Sequence, residues 1–172
     1  MSTIQGKSFV AHLYSISEAA EGPIGLSSEL ALTNSGWLTR QNPGATPVPL
    51  KFDYIEHTED RVHYSVSVAD EAPEYAGTVL GISRNGYLGV YGVASVIDFW
   101  KVEVVRSWTE GEYLYFNWRD HQGHRVSLHR EYENSGSGRG PAIPTSRFTD
   151  YLSVAPTSAY VLRFKAKILK WL

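Results

Sequence analysis

Leu80-Gly81-Ile82-Ser83-Arg84-Asn85-Gly86-Tyr87-Leu88 reads as a strand, a tight turn and a second strand. Asn-Gly flanked by alternating apolar residues is the strongest short-range hairpin signal, because glycine enters the left-handed backbone region without a Cβ clash. The same pattern stands at Leu30-Ala31-Leu32-Thr33-Asn34-Ser35-Gly36-Trp37-Leu38, aligned without gaps. A third copy, Asp150-Tyr151-Leu152-Ser153-Val154, aligns on Gly86-Tyr87-Leu88-Gly89-Val90. Gly36 and Gly86 stand 50 residues apart, Gly86 and Asp150 64. A recurring period of this size constrains architecture more than any single motif.

Outward from these hairpins the period-two pattern of half-buried strands recurs. Residues 8 to 17 read as a first strand, after which Pro23 and two glycines break the chain. Gln41 to Pro49 is a loop with three prolines, and Leu50 to Tyr54 alternates apolar and polar residues. Val62 to Val68 alternates strictly, Asp70 to Gly77 is a loop, and Ile97 to Val105 ends the second unit. The third unit opens at Tyr113 to Trp118 and continues through Val126-Ser127-Leu128, a partner strand near Phe148, and Val161 to Ile168. Between its hairpin strands lies a Gly-, Ser- and Pro-rich insertion, Glu131 to Ser146. Four strands in each of three units, with no helical period, predict an all-β domain of about twelve strands. Its repeats run approximately over 7–58, 59–109 and 110–172. The architecture that fits is a β-trefoil with pseudo-threefold symmetry, a six-stranded barrel closed by three hairpins.

The chain has 172 residues, enough for one well-buried core and short for two. Aromatic residues make up 13% of it, including 11 Tyr and 5 Trp, which suits both strands and a surface that binds something flat. Net charge is -2, which predicts no general affinity for nucleic acid. There is no cysteine, the N-terminal residues lack the apolar core of a signal peptide, and no stretch is apolar enough for a membrane span. These features predict a cytoplasmic protein.

The pattern Leu80-x-Ile82-x-x-Asn85-Gly86-Tyr87-Leu88, followed by Phe99-Trp100-x-Val102-Glu103, resembles β-trefoil proteins over most of the chain. Within them, a chain of this size without cysteine or leader looks like the cytoplasmic defence proteins of mushrooms. That resemblance implies a ricin-type lectin or a mycocypin- or Kunitz-like protease inhibitor. The Gln-x-Trp of ricin-type repeats is absent, and Asp98-Phe99-Trp100 is the nearest approach to it.

The candidate ligand-binding residues are Trp37, Tyr87 and Tyr151, at one repeat position, with Asn85 and Asp150 in the adjoining turns. An aromatic face covers the C–H face of a pyranose, and the amide and carboxylate bond its hydroxyls. The competing reading packs these aromatics into the hairpin layer and uses Asn and Asp only to favour the turn backbone. In the insertion, Asn134, Arg139, Pro141 and Ile143 are the candidate inhibitory loop. Arg139 suits a trypsin-like pocket, and the Gly/Pro edge suits a papain-like cleft. Trp100, Phe52 and Phe164 are expected in the core. Asp120, His121 and His124 read as a polar turn rather than a metal site, and the alternating Arg163 to Lys170 reads as one solvated strand face. No catalytic or cofactor-binding motif is present. The expectation is a non-enzymatic, defence-type lectin without cofactor or metal, the alternative being a cysteine- or serine-protease inhibitor. Its partner is then a glycan or a protease.

Overall fold

The computed structural model describes residues 4–27, 36–92, 96–107, 113–135, 143–155 and 160–172. They form thirteen strands: β1 (Phe9–Ser15), β2 (Gly22–Leu26), β3 (Gly36–Arg40), β4 (Leu50–His57), β5 (Val62–Val68), β6 (Val79–Ile82), β7 (Leu88–Tyr91), β8 (Trp100–Ser107), β9 (Tyr113–Arg119), β10 (Ser127–Ser135), β11 (Ile143–Ser153), β12 (Tyr160–Val161) and β13 (Phe164–Trp171). No helix occurs among the described residues, so none is long and apolar enough to cross a membrane.

The strands pair antiparallel in the order β3-β2-β1-β13-β9-β8-β5-β6-β7, and β7 pairs back onto β3. The sheet therefore closes as a nine-strand circuit, which leaves no edge along that path. β4 lies off the circuit and bridges β1 to β5, while β11, β10 and β12 extend outward from β3.

Alternation places the core. In β9, Leu114, Phe116 and Trp118 point inward and are buried, and Phe164, Ala166 and Ile168 of β13 do the same. Phe9 stacks on its cross-strand partner Phe52 with centroids 4.8 Å apart. Trp118 touches Trp100, Phe52, Phe116 and Phe164 at 5.4 to 6.4 Å. Phe52, Trp100 and Phe164 are buried as expected, and so are Leu38, Leu80, Leu88, Leu128 and Leu152. Leu30, Asn34 and Trp108 lie outside the described residues.

The β-trefoil reading is corrected at this point. The described strands number thirteen and form a nine-strand circuit with added strands, not three equal units. The third hairpin has strands of 9 and 11 residues where β6 and β7 have 4 each, and the strand expected over Val161 to Ile168 is divided between β12 and β13. Two local expectations also change. The Pro23 region is strand β2, paired with β1 and β3, because Gly22 and Gly25 leave room for Gln41. A Cβ on Gly22 would sit 2.0 Å from the Gln41 carbonyl oxygen. The described residues of the insertion are strand, since Glu131, Tyr132, Asn134 and Ser135 pair with Thr149, Phe148, Pro144 and Ile143.

Candidate functional site

The site begins at the turn before β7. The Gly86 amide donates to the Ser83 carbonyl at 3.0 Å, and the Tyr87 amide donates to the Ser83 hydroxyl at 3.1 Å. Gly86 has φ +84 and lies against Ala155, where a Cβ would come within 2.8 Å. Glycine is therefore required twice at this position, by the turn and by the neighbour. The Val154 amide donates to the Gly86 carbonyl at 2.8 Å, tying the turn to the end of β11. Tyr87 bridges Ser153, Trp37 of β3 pairs with Gly89 of β7, and Tyr151 of β11 pairs with Thr39 of β3.

Residues far apart in sequence thus converge. Tyr87 stacks on Tyr151 with centroids 5.0 Å apart and planes 7° apart. Trp37 meets Tyr87 edge to face at 5.9 Å and Tyr91 at 6.5 Å. The Trp37 ring lies over Gly89, where a Cβ would come within 3.0 Å, so the glycine makes room for the indole. Trp37, Tyr87 and Tyr91 are half-buried, whereas Tyr151 is buried. Much of the aromatic surface is spent on its own ring contacts, and what remains accessible is a rim of Trp37 and Tyr87.

Polar groups border that rim. His129, the cross-strand partner of Tyr151, lies 5.4 Å from the Tyr87 ring. The Tyr87 hydroxyl donates to the Glu131 carboxylate, whose side chain is half exposed. Burial, the hydrogen bond to Glu131 and its charge all raise the Tyr87 hydroxyl above its ordinary value, so it stays a donor. Asn85 is exposed in the same turn.

Asp150 has a different position from the one the sequence suggested. Its side chain is 0% exposed. Arg130 Nε and Nη2 donate to its two oxygens at 2.7 and 3.0 Å, and Arg40 Nε donates at 3.1 Å, with Arg40 Nη2 also in contact. With both oxygens engaged, Asp150 fastens β11 to β3 and β10. Burial pushes its carboxyl up, but the hydrogen bonds and charges of Arg130 and Arg40 together hold it below the ordinary carboxylate value.

The structure therefore brings together Trp37, Tyr87 and Tyr151 with Asn85 beside them. Asn134 and Ile143 lie on the paired strands of the β10–β11 hairpin. Arg139 and Pro141 lie outside the described residues. Sequence reasoning missed His129, Glu131, Arg40 and Arg130. Cross-strand pairing opposite Tyr151 and Asp150 was the signal for three of them, His129, Arg130 and Arg40, but it required the register of β11 with β10 and β3. Elsewhere, Asp120 is buried and accepts from the His124 backbone and ring at 2.8 and 3.0 Å, as a turn carboxylate does. No group of three or more His, Cys, Asp or Glu among the described residues is placed to hold a metal. A groove of about 490 Å³ at the C-terminal end of β13 is lined by charges that pair with one another: Lys51 with Asp53 at 3.3 Å and Lys170 with Glu71 at 2.7 Å.

No protein-family model, curated protein or solved structure matches this chain. The resemblance to β-trefoil proteins, and through them to mushroom lectins and inhibitors, is accordingly corrected. The short motif that carried it specifies hairpins, and hairpins occur in many antiparallel barrels. What remains for function is the site itself.

Proposed function

We propose that the protein is a non-enzymatic carbohydrate-binding protein whose site is the Trp37–Tyr87 rim with Asn85, His129 and Glu131. The observation that supports this reading is the convergence of half-buried aromatics with exposed hydrogen-bonding groups where the turn before β7 meets β3 and the β10–β11 hairpin. An indole edge and a tyrosine ring cover the apolar face of a pyranose, and a carboxylate and an amide satisfy its hydroxyls. Asp150 serves beneath the rim by holding β3 and β11 in register.

The test is a glycan array with the purified, folded chain, followed by titration of the best oligosaccharide against Trp37→Ala and Glu131→Gln. The expected result is binding that weakens roughly tenfold or more in each variant, about 1.4 kcal/mol, with the melting temperature largely kept. Silence of the folded protein across the array sinks the proposal.

A second reading is favoured by one observation. The pairings Asn134 to Pro144 and Ser135 to Ile143 carry the β10–β11 hairpin two residue pairs past its register shift and set residues 136–142 as its connection. On that reading the protein inhibits a protease through this connection, with Arg139 offered to a trypsin-like pocket. Replacing 136–142 by Asn-Gly should abolish inhibition of trypsin or papain while barely moving the melting temperature, since loop length adds little closure cost. Equal inhibition by the shortened protein removes the connection from the account.

A further inference from the structure

β13 carries Lys165 and Lys167 on the side opposite the buried Phe164 and Ala166, and Arg163, exposed, continues the alternation one residue before the strand begins. Consecutive members of such a row stand roughly 6.5–7 Å apart along a strand. Among the described residues, none of the three forms an ion pair within 4 Å, in contrast to Lys170, which meets Glu71. The strands on either side add aromatic rings. β1 places Tyr14 opposite Lys165 and His12 opposite Lys167, and β9 places Tyr115 opposite Lys165 and Tyr113 opposite Lys167. The Lys165 ammonium lies 5.2 Å from the Tyr14 ring centroid and 5.1 Å from that of Tyr113.

The flanks keep this face electropositive. On β8, beyond β9, Glu103 is already shared by Arg61 at 3.7 Å and Arg119 at 3.4 Å. On β4, beyond β1, Asp53 is held by Lys51. Burial and then the neighbouring Lys167 hold the His12 pKa below its ordinary value, which favours the neutral imidazole beside that cation. Burial, then Arg119 and Arg163, lower the Arg125 pKa against the opposing charge of Glu103, so Arg163 acts on Arg125 as a like charge. A chain of net charge -2 has thus gathered cations without an ion pair among the described residues, together with tyrosines, on one barrel face.

We propose that this face binds single-stranded nucleic acid, with Arg163, Lys165 and Lys167 along the phosphates and Tyr14 and Tyr113 against the bases. The ligand repeats one anion and one flat ring per unit, and the face offers cations in a row with rings on both sides. Stacking platforms beside a basic track bind single strands with little sequence preference. A duplex fits less well. Its bases are paired and inaccessible to the tyrosines, and its persistence length of about 150 base pairs resists following a curved barrel wall. A single strand unstacks and stretches to the strand spacing. Whole-chain charge pointed away from nucleic acid because it averages this face with the acidic remainder.

The test uses the full chain and a fluorescein-labelled oligothymidylate 12-mer, read by anisotropy at several salt concentrations. Three phosphate contacts predict that log affinity falls with log salt at a slope of about -2. Lys165→Gln with Lys167→Gln should weaken binding about tenfold or more and flatten the slope to about -0.7. Tyr113→Leu should weaken it about fivefold or more at unchanged slope, the mark of a lost stacking contact. Lys167→Gln alone, at a partly exposed position, reports the slope change if the double variant melts early. The proposal is overturned by absence of binding at low salt, or by equal affinity for the matching duplex. It is equally overturned if a sulfated polysaccharide displaces the oligonucleotide while Tyr113→Leu has no effect, because the face is then a plain anion exchanger.

Discussion

Asp150→Ala is expected to destabilise the protein by about 3–5 kcal/mol, the usual consequence of removing one partner from a buried ion pair. The carboxylate is fully buried, and Arg40 keeps only 10% of its side chain exposed. Without Asp150, that guanidinium is left desolvated and uncompensated. Arg130, 34% exposed, retains water and the Phe148 ring 3.8 Å away, so it suffers less. Urea unfolding should show the loss as a lower midpoint, and thermal unfolding as a fall on the order of 10 °C. Changing Asp150 and Arg40 together to apolar residues should recover much of it. A single variant within 1 kcal/mol of the parent would mean that the network contributes little.

The same pair sets a pH dependence. The folded-state pKa of Asp150 is depressed, so its contribution is present above the unfolded carboxylate value near 4 and disappears as pH falls through the folded value. The stability gap between parent and Asp150→Ala should therefore be wide at pH 7 and narrow well below pH 4. A gap independent of pH in that range would show that Asp150 is not held as a carboxylate by the two arginines.

Trp118→Ala should cost about 3–5 kcal/mol, because four aromatic neighbours lose contact and the barrel wall limits collapse around the void. Trp118→Phe should cost clearly less. The buried indole nitrogen has no hydrogen-bond partner among the described residues, so removing it forfeits packing alone. Chemical denaturation of both variants checks the order. An equal loss in the two would place the energetics in the nitrogen rather than the ring volume.

Much of the barrel was legible in the chain. Val62 to Val68 alternates, and β5 occupies those residues. Asn85-Gly86 marks a hairpin, and a hairpin turn is there. The misreadings share a cause, which is long-range partners that local pattern does not show. Pro23 between two glycines looks like a break, yet it becomes strand once Gln41 needs the space that the glycines leave. The insertion looks like a loop because Ser135 to Gly140 is rich in Gly and Ser, while Glu131, Tyr132 and Asn134 pair with Thr149, Phe148 and Pro144, partners that local pattern does not show. The site was half legible. A repeated position marked Trp37, Tyr87 and Tyr151, but the arginines that neutralise Asp150 come from 110 and 20 residues away. The short repeat also carried a family likeness further than hairpin chemistry warrants.

Carbohydrate recognition at the hairpin ends is tested most directly by a proton–nitrogen correlation spectrum recorded while the best array oligosaccharide is titrated in. The five tryptophans give separable indole signals, and Trp37→Phe assigns the one that matters. The Trp37 indole and the Gly86 and Gly89 amides should shift, while Trp118, enclosed in the core, and Trp100, bonded to the Leu80 carbonyl, should stay in place. Saturating sugar that leaves Trp37 unmoved, or that shifts only signals remote from the Trp37–Tyr87 rim, would contradict the assignment.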